Sequence, residues 1–284
     1  MTSDALPASA DPVSTTSPVE RLTTGAELVA ASGDGVYVRS SAPTTTRVQA
    51  WRAGAGVAWF SWSRHRGGAG WLTVVAAPEL VATLVQAATA ELPDAITGVT
   101  VPADAQDLLP SALRPVDPTR WDWFWTATPP SSQRGENHVR WARADDEQDI
   151  EALLDQHSPR HSARPGNADA RRWCVVDASG GPTTAGAEAG GLLACAAHVE
   201  YVPEVPHLAS IVTRRDLRGQ GLGAAVTAWL TRQLLAEGAP IVTLGMYDDN
   251  QTARRMYRRL GYVDSHHWLS GSLPGRATVP MTHE

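Results

Sequence analysis

The apolar positions between residues 192 and 270 change period repeatedly. Residues 192–200 and 207–213 are apolar runs of strand length, joined through a Pro203/Pro206 turn. Residues 221–237 switch to helical spacing, with Leu222, Val226, Trp229, Leu230 and Leu234 on one face. Residues 241–246 return to a strand. Asn250 then caps a helix whose inner face is Ala253, Met256, Tyr257 and Leu260. Residues 262–270 supply a last strand or hairpin. Upstream, residues 139–142 read as a strand, and Asp145 begins a helix. Gln148 is placed to close a capping box there, with Ile150, Leu153 and Leu154 facing inward. A polar loop at 157–169, a strand at 173–177 and a Gly-rich segment at 179–191 follow.

The first half is patterned more weakly. Residues 71–77 are strand-like. Residues 78–92 are helical, with Pro78 at the first helical position. Residues 97–101 form a short strand and 103–113 a weak helix. Along 121–126 aromatic and polar residues alternate, so Trp121, Trp123 and Trp125 share one face, expected in the core or at a domain interface. The polar, Pro-containing run 129–136 reads as a linker, and the Ser/Thr/Pro/Ala-rich residues 1–20 as disordered. The expected domains are 21–128 and 137–272, with a tail at 273–284. Both end in the order strand, helix, strand, helix, strand, a hint of duplication without a visible sequence repeat.

Composition narrows the function. A length of 284 residues accommodates two domains. The net charge of -6 argues against nucleic acid as a partner. No apolar stretch approaches the ~20 residues needed to cross a bilayer, and no signal segment is visible. A cytoplasmic protein without a membrane partner is expected. Cys174 and Cys195 lie in apolar stretches and read as buried thiols; no metal-ligand spacing is present, so no metal is expected.

Between the strand at 207–213 and the following helix stands Arg218-Gly219-Gln220-Gly221-Leu222-Gly223. Glycines allow close backbone approach, and the free N–H groups of the helix start favour an anion. This reads as a pyrophosphate cradle or as a glycine turn that merely starts a helix. All 24 basic residues are Arg, so the Lys-dependent phosphate loop is excluded.

The segment resembles the GNAT superfamily of acyl-CoA-dependent N-acyltransferases. Arg218, Gly221 and Gly223 match its [QR]-x-x-G-x-[GA] fingerprint. Asn250, Ala253, Tyr257, Gly261 and Tyr262 match a second motif, N-x-x-A-x-x-x-Y-x-x-x-G-[FY]. The resemblance covers about residues 137–272. It implies an α/β fold with a mixed, mostly antiparallel sheet flanked by helices, and a first half that is a smaller, degenerate copy. It implies acetyl-CoA as co-substrate and a primary amine of a small molecule or peptide as acceptor. Ile211, Val212 and Thr213 would pair with the pantetheine arm. The N–H groups of Gly219, Gln220, Gly221, Leu222, Gly223 and Ala224, beside Arg218, would hold the pyrophosphate. Asn250 would contact the cofactor, and the Val212 N–H would polarise the thioester carbonyl.

Tyr257 would act as general acid, since a phenol of pKa about 10 can protonate a departing thiolate. It fits the inner face of its helix equally well. For the base, Glu200 and His207 are the candidates, with Glu204 nearby; a solvated hairpin edge is the simpler reading. The acceptor site is expected among residues 157–169, 201–206 and the His266-His267 segment. Arg66-Gly67-Gly68-Ala69-Gly70 precedes its strand and reads as a hairpin turn. The first half, with no glycine at Ala76-Ala77-Pro78-Glu79, would shape the acceptor pocket or a homodimer interface instead of binding CoA. The alternative function is a catalytically silent acyl-CoA sensor or partner subunit.

Overall fold

The computed structural model describes residues 18–43, 47–63, 69–177 and 191–276. The Gly-rich segment at 179–190 and most of the Arg66–Gly70 turn lie outside the described residues. In the first half the strands are β1 (Val19–Leu22), β2 (Gln49–Ala53), β3 (Gly56–Ser63), β4 (Ala69–Val75), β5 (Gly98–Pro102) and β6 (Val116–Thr126). Its helices are α1 (Gly25–Ala31), α2 (Val36–Ser41) and α3 (Pro78–Glu91). The second half contributes β7 (Val139–Trp141), β8 (Ala170–Asp177), β9 (Leu192–Val202), β10 (Val205–Thr213), β11 (Val242–Tyr247) and β12 (Val263–Ser272). Its helices are α4 (Glu147–His157), α5 (Leu222–Ala236) and α6 (Gln251–Arg259).

All twelve strands form one sheet, in the order β1-β2-β3-β4-β5-β12-β6-β11-β10-β9-β8-β7. Exchanging each strand of one half for its counterpart in the other turns this order into its own reverse. The topology is therefore duplicated about a pseudo-twofold axis at β6 and β12. The parallel pairs β4–β5 and β10–β11 are equivalent. The two central strands are exchanged: β12 pairs with β5 of the first half, and β6 pairs with β11 of the second. Strand pairing is thus continuous across the expected domain boundary.

Side-chain alternation divides the core between the two sheet faces. Under α5 lie Phe124, Leu208, Leu244, Tyr257 and Tyr262, and under α3 lie Leu72, Val74, Val99 and Leu269. On the opposite face α4 covers Val175, Ala197 and Val212, while α1 and α2 cover Trp59, Trp123 and Trp268. The three alternating tryptophans do share this face, Trp123 buried in its core and Trp121 and Trp125 packed against it.

Several expectations change in detail. Residues 103–113 form two short 3-10 turns on either side of Leu109 and Pro110, because proline cannot continue a helix. The capping box at Asp145 and Gln148 does not form. Asp146 instead accepts the Arg143 N–H at 2.6 Å and pairs with Arg140. The run 129–136 is pinned to α5 by Arg232, which pairs with buried Glu136 and donates to Pro130 O at 3.2 Å. Val19 and Glu20, expected in the tail, belong to β1, which borders β2.

Candidate active site

The site begins where two parallel strands part. β10 and β11 pair at His207–Thr243 and Leu208–Leu244, and no further. β10 then bulges between Ala209 and Val212, with Ser210 at a φ of 47°. A bulge bends its strand, so beyond Leu208 the two strands open a cleft. Gly245, the first residue of β11 past the last pair, is exposed although β11 is an interior strand.

At the mouth of the cleft, Gly219 and Gly221 have φ of 82° and 90°, values that side-chain-bearing residues rarely adopt. A Cβ added at either would meet nothing within 4 Å. Space and the α5 N-terminus therefore face the same point. Gly223 packs more closely, its hypothetical Cβ 3.4 Å from Thr213 Oγ1. Arg214, Arg215 and Arg218 surround the turn. Arg218 donates to His157 O at 2.8 Å and so ties the turn to the end of α4. Burial and Arg215 hold the His157 imidazole below its usual pKa.

The direction of the β10 amides refines the expected contacts. Arg214 N–H donates to Leu193 O at 2.9 Å, across an in-register pair. Hydrogen-bonded pairs alternate along an antiparallel ladder. Val212, opposite Cys195, therefore turns its N–H toward β9, and this amide does not point into the cleft. The N–H groups of Ile211 and Thr213 point the other way, into the opening.

Tyr257 lies on the α5 side, buried at 5% exposure against Phe124 and Tyr262, with ring centroids at 5.7 and 6.1 Å. Its hydroxyl has no hydrogen-bond partner among the described residues, whereas that of Tyr262 is bonded to Thr231 Oγ1 at 2.6 Å. Burial pushes the Tyr257 phenol well above its usual pKa, so it stays protonated. Asn250 Oδ1 accepts the Ala253 N–H at 3.1 Å; its side chain is engaged as the α6 cap.

The two base candidates stand one register position apart on neighbouring strands, on opposite faces of the sheet. His207 sits at the last paired positions, directly below the opening. Its Nδ1 is 2.9 Å from Thr243 Oγ1, and that hydroxyl donates to Pro206 O at 3.1 Å. Thr243 therefore accepts from Nδ1–H, which makes Nε2 the basic nitrogen of His207. Glu200, next to the Val199 that pairs with His207, turns to the opposite face of the sheet, the face of His198. It pairs there with Arg171 at 3.1 Å and sits 3.4 Å from His198. Glu204 occupies the exposed hairpin turn, with φ of 65°.

The loop at 157–169 crosses the cleft on the α4 side. Ser210 Oγ bonds both the N–H and the C=O of Ala163, each at 2.8 Å. Arg160 reaches the other lip, 4.3 Å above the Tyr247 ring and 2.9 Å from Asp249. This strap joins β10 to β11 across the gap, and no sequence motif marked its anchor, Ser210. His266 and His267 face opposite ways. His266 stacks on Trp268 toward α2, and His267 bonds Asp122 at 2.6 Å toward α6. The potential ligand atoms of Asp122, Asp264 and His267 fall within 4.8 Å of one another. Arg254 pairs with both carboxylates and occupies the cation position itself.

Parted parallel strands, a glycine turn at their mouth and a buried tyrosine on the following helix are the frame of an acyltransferase of the GNAT fold. The chain belongs to this family: the acetyltransferase (GNAT) family model matches residues 121–262, beginning within β6. The fold is that of a GCN5-related N-acetyltransferase from Sphaerobacter thermophilus, 15% identical, with a TM-score of 0.54 over 92% of this chain and 98% of that one. A GNAT-family protein from Novosphingobium aromaticivorans is 16% identical, with a TM-score of 0.48 over 88% and 97% of the two chains. A tandem GNAT protein from the clavulanic acid biosynthesis pathway is 13% identical, with a TM-score of 0.39 over 90% and 98%. No curated protein matches the sequence.

Proposed function

We propose that the protein transfers an acetyl group from acetyl-CoA to a primary amine of a small molecule or peptide, by direct attack in a ternary complex. The observation that carries this is the cleft beyond Leu208 and Leu244, with the double left-handed turn at Gly219 and Gly221 at its mouth. The residues fit the co-substrate: the turn leaves open the volume that Cβ atoms would fill, beside a helix N-terminus and Arg218. Acetyl-CoA would supply an activated thioester.

The chain's own residues divide the remaining work. The Ile211 and Thr213 N–H groups would hold an extended arm as an added strand would be held. His207 Nε2, on the α4 side, would take the proton from the acceptor's ammonium, freeing the lone pair with which the amine attacks. Tyr257, on the α5 side, would donate a proton to the departing sulfur. The strap at 157–169 would close over the acceptor and limit water. Base and acid approach the opening from opposite faces of the sheet, so deprotonation of the amine and protonation of the sulfur fall to separate groups.

Thiol release from acetyl-CoA over a panel of amines tests the reading. Turnover should fall by about 10²-fold or more in Tyr257→Phe, with CoA affinity little changed. Gly221→Glu should abolish CoA binding, because it places a side chain and a negative charge in the cradle. Unchanged CoA affinity in that variant would sink the assignment. Tight CoA binding without turnover on any amine would favour the sensor alternative.

A further inference from the structure

The first half contains the counterpart of the cofactor cleft. β4 and β5 pair from Trp71–Gly98 to Thr73–Thr100 and then part, as β10 and β11 do. A cavity of about 570 Å³ opens there, within the range of small-molecule sites. It cannot be a second diphosphate site. The strand-to-helix junction is Ala76-Ala77-Pro78-Glu79: Pro78 removes an N–H from the helix start, and Glu79 adds a negative charge where a phosphate would sit.

What the walls offer is different. One end is apolar, made by Val75, Ala76 and Pro102. The other carries Arg120 and His267. The Arg120 guanidinium is already oriented, donating to Ala103 O at 3.1 Å and Gln106 Oε1 at 2.8 Å. His267 Nδ1 is tied to Asp122, a carboxylate that Arg254 also neutralises. Asp104 lies exposed at the rim, where solvent screens it. The guanidinium of Arg120, a fork of N–H donors, faces this end, and an acceptor-only group with two oxygens, a carboxylate, complements it.

We propose that the strand split of the first half is a second ligand site, for a small carboxylate with an apolar body, and that it is closed to CoA. The cleft is present although its strand-to-helix junction carries no glycine turn. The site lies across the pseudo-twofold from the acyl cleft, so the two should fill independently.

Calorimetric titration of the full-length protein with benzoate, benzamide and benzylamine, with and without saturating CoA, tests this. Benzoate should bind at one site per chain, at least about 10-fold more tightly than the neutral and cationic analogues. Binding should survive CoA, fall about 10-fold or more in Arg120→Ala, and be partly retained in Arg120→Lys. Ala76→Trp, which fills the apolar end, should abolish it while leaving CoA affinity intact. The proposal fails if the three probes bind alike, if Arg120→Ala leaves benzoate affinity unchanged, if CoA displaces benzoate, or if no saturable heat appears up to about 10 mM.

Discussion

At the residue scale, Ser210 does more than its neighbours. Its left-handed backbone makes the bulge that ends pairing between β10 and β11, and its hydroxyl satisfies both backbone groups of Ala163. Nothing in the local sequence announces either role: Ala-Ser-Ile-Val reads as uninterrupted strand. Ser210→Ala removes the two bonds and leaves a buried amide and carbonyl unpaired, a loss of about 1–3 kcal/mol. The expected outcome is a lower thermal midpoint and a raised KM for the amine, with little change in CoA affinity. Steady-state kinetics with each substrate varied in turn will separate the two. An amine KM equal to wild type would show that the strap does not serve the acceptor. The glycines of the cradle were legible, since their purpose is local. The Val212 amide was not, because which way an amide points depends on the partner strand.

At the element scale, α6 joins the site to the core. Asn250 caps it, and loss of this cap in Asn250→Ala should cost about 1 kcal/mol, seen in chemical denaturation. The second motif gave both the cap and Tyr257, but not the depth at which Tyr257 is buried. That depth has a pH consequence. Tyr257 and Tyr262 are both raised by burial, so their folded-state pKa values lie above the unfolded value of about 10. The stability this represents is fully present below about pH 10 and is lost as pH rises above it, because only the unfolded chain ionises readily. The thermal midpoint should therefore fall steeply above about pH 10, and the fall should be shallower in Tyr257→Phe. An equal slope in the variant would contradict the assigned burial. Asp146 works in the opposite sense. Held down by Arg140, it stabilises above the ordinary carboxylate range, and that contribution is lost as pH falls.

At the scale of the whole molecule, the halves complete each other. β6 belongs to the first half in sequence but pairs with β11, and β12 belongs to the second half but pairs with β5. A chain cut near residue 135 therefore leaves each piece without a strand it needs. Residues 136–284 alone should be insoluble or fail to bind CoA, and co-expression with 1–135 should restore a soluble complex. A folded 136–284 fragment with wild-type CoA affinity, measured calorimetrically, would refute this account of the sheet. Among the described residues no helix is long and apolar enough to cross a membrane.

The sequence by itself determined what depends on neighbours in the chain. It set the period of each segment in the second half, the glycine turn, the Asn250 cap, the family resemblance and the shared face of Trp121, Trp123 and Trp125. The Thr24–Glu27 capping box that starts α1 is equally local. Tertiary structure decided what depends on residues far apart. The exchange of β6 and β12 joined two expected domains into one sheet, because a strand's hydrogen bonds do not record which strand accepts them. The same long-range pairing put His207 and Glu200 on opposite faces of neighbouring strands, tied His267 to Asp122 across 145 positions, and kept a cleft open in the half whose strand-to-helix junction carries no glycine.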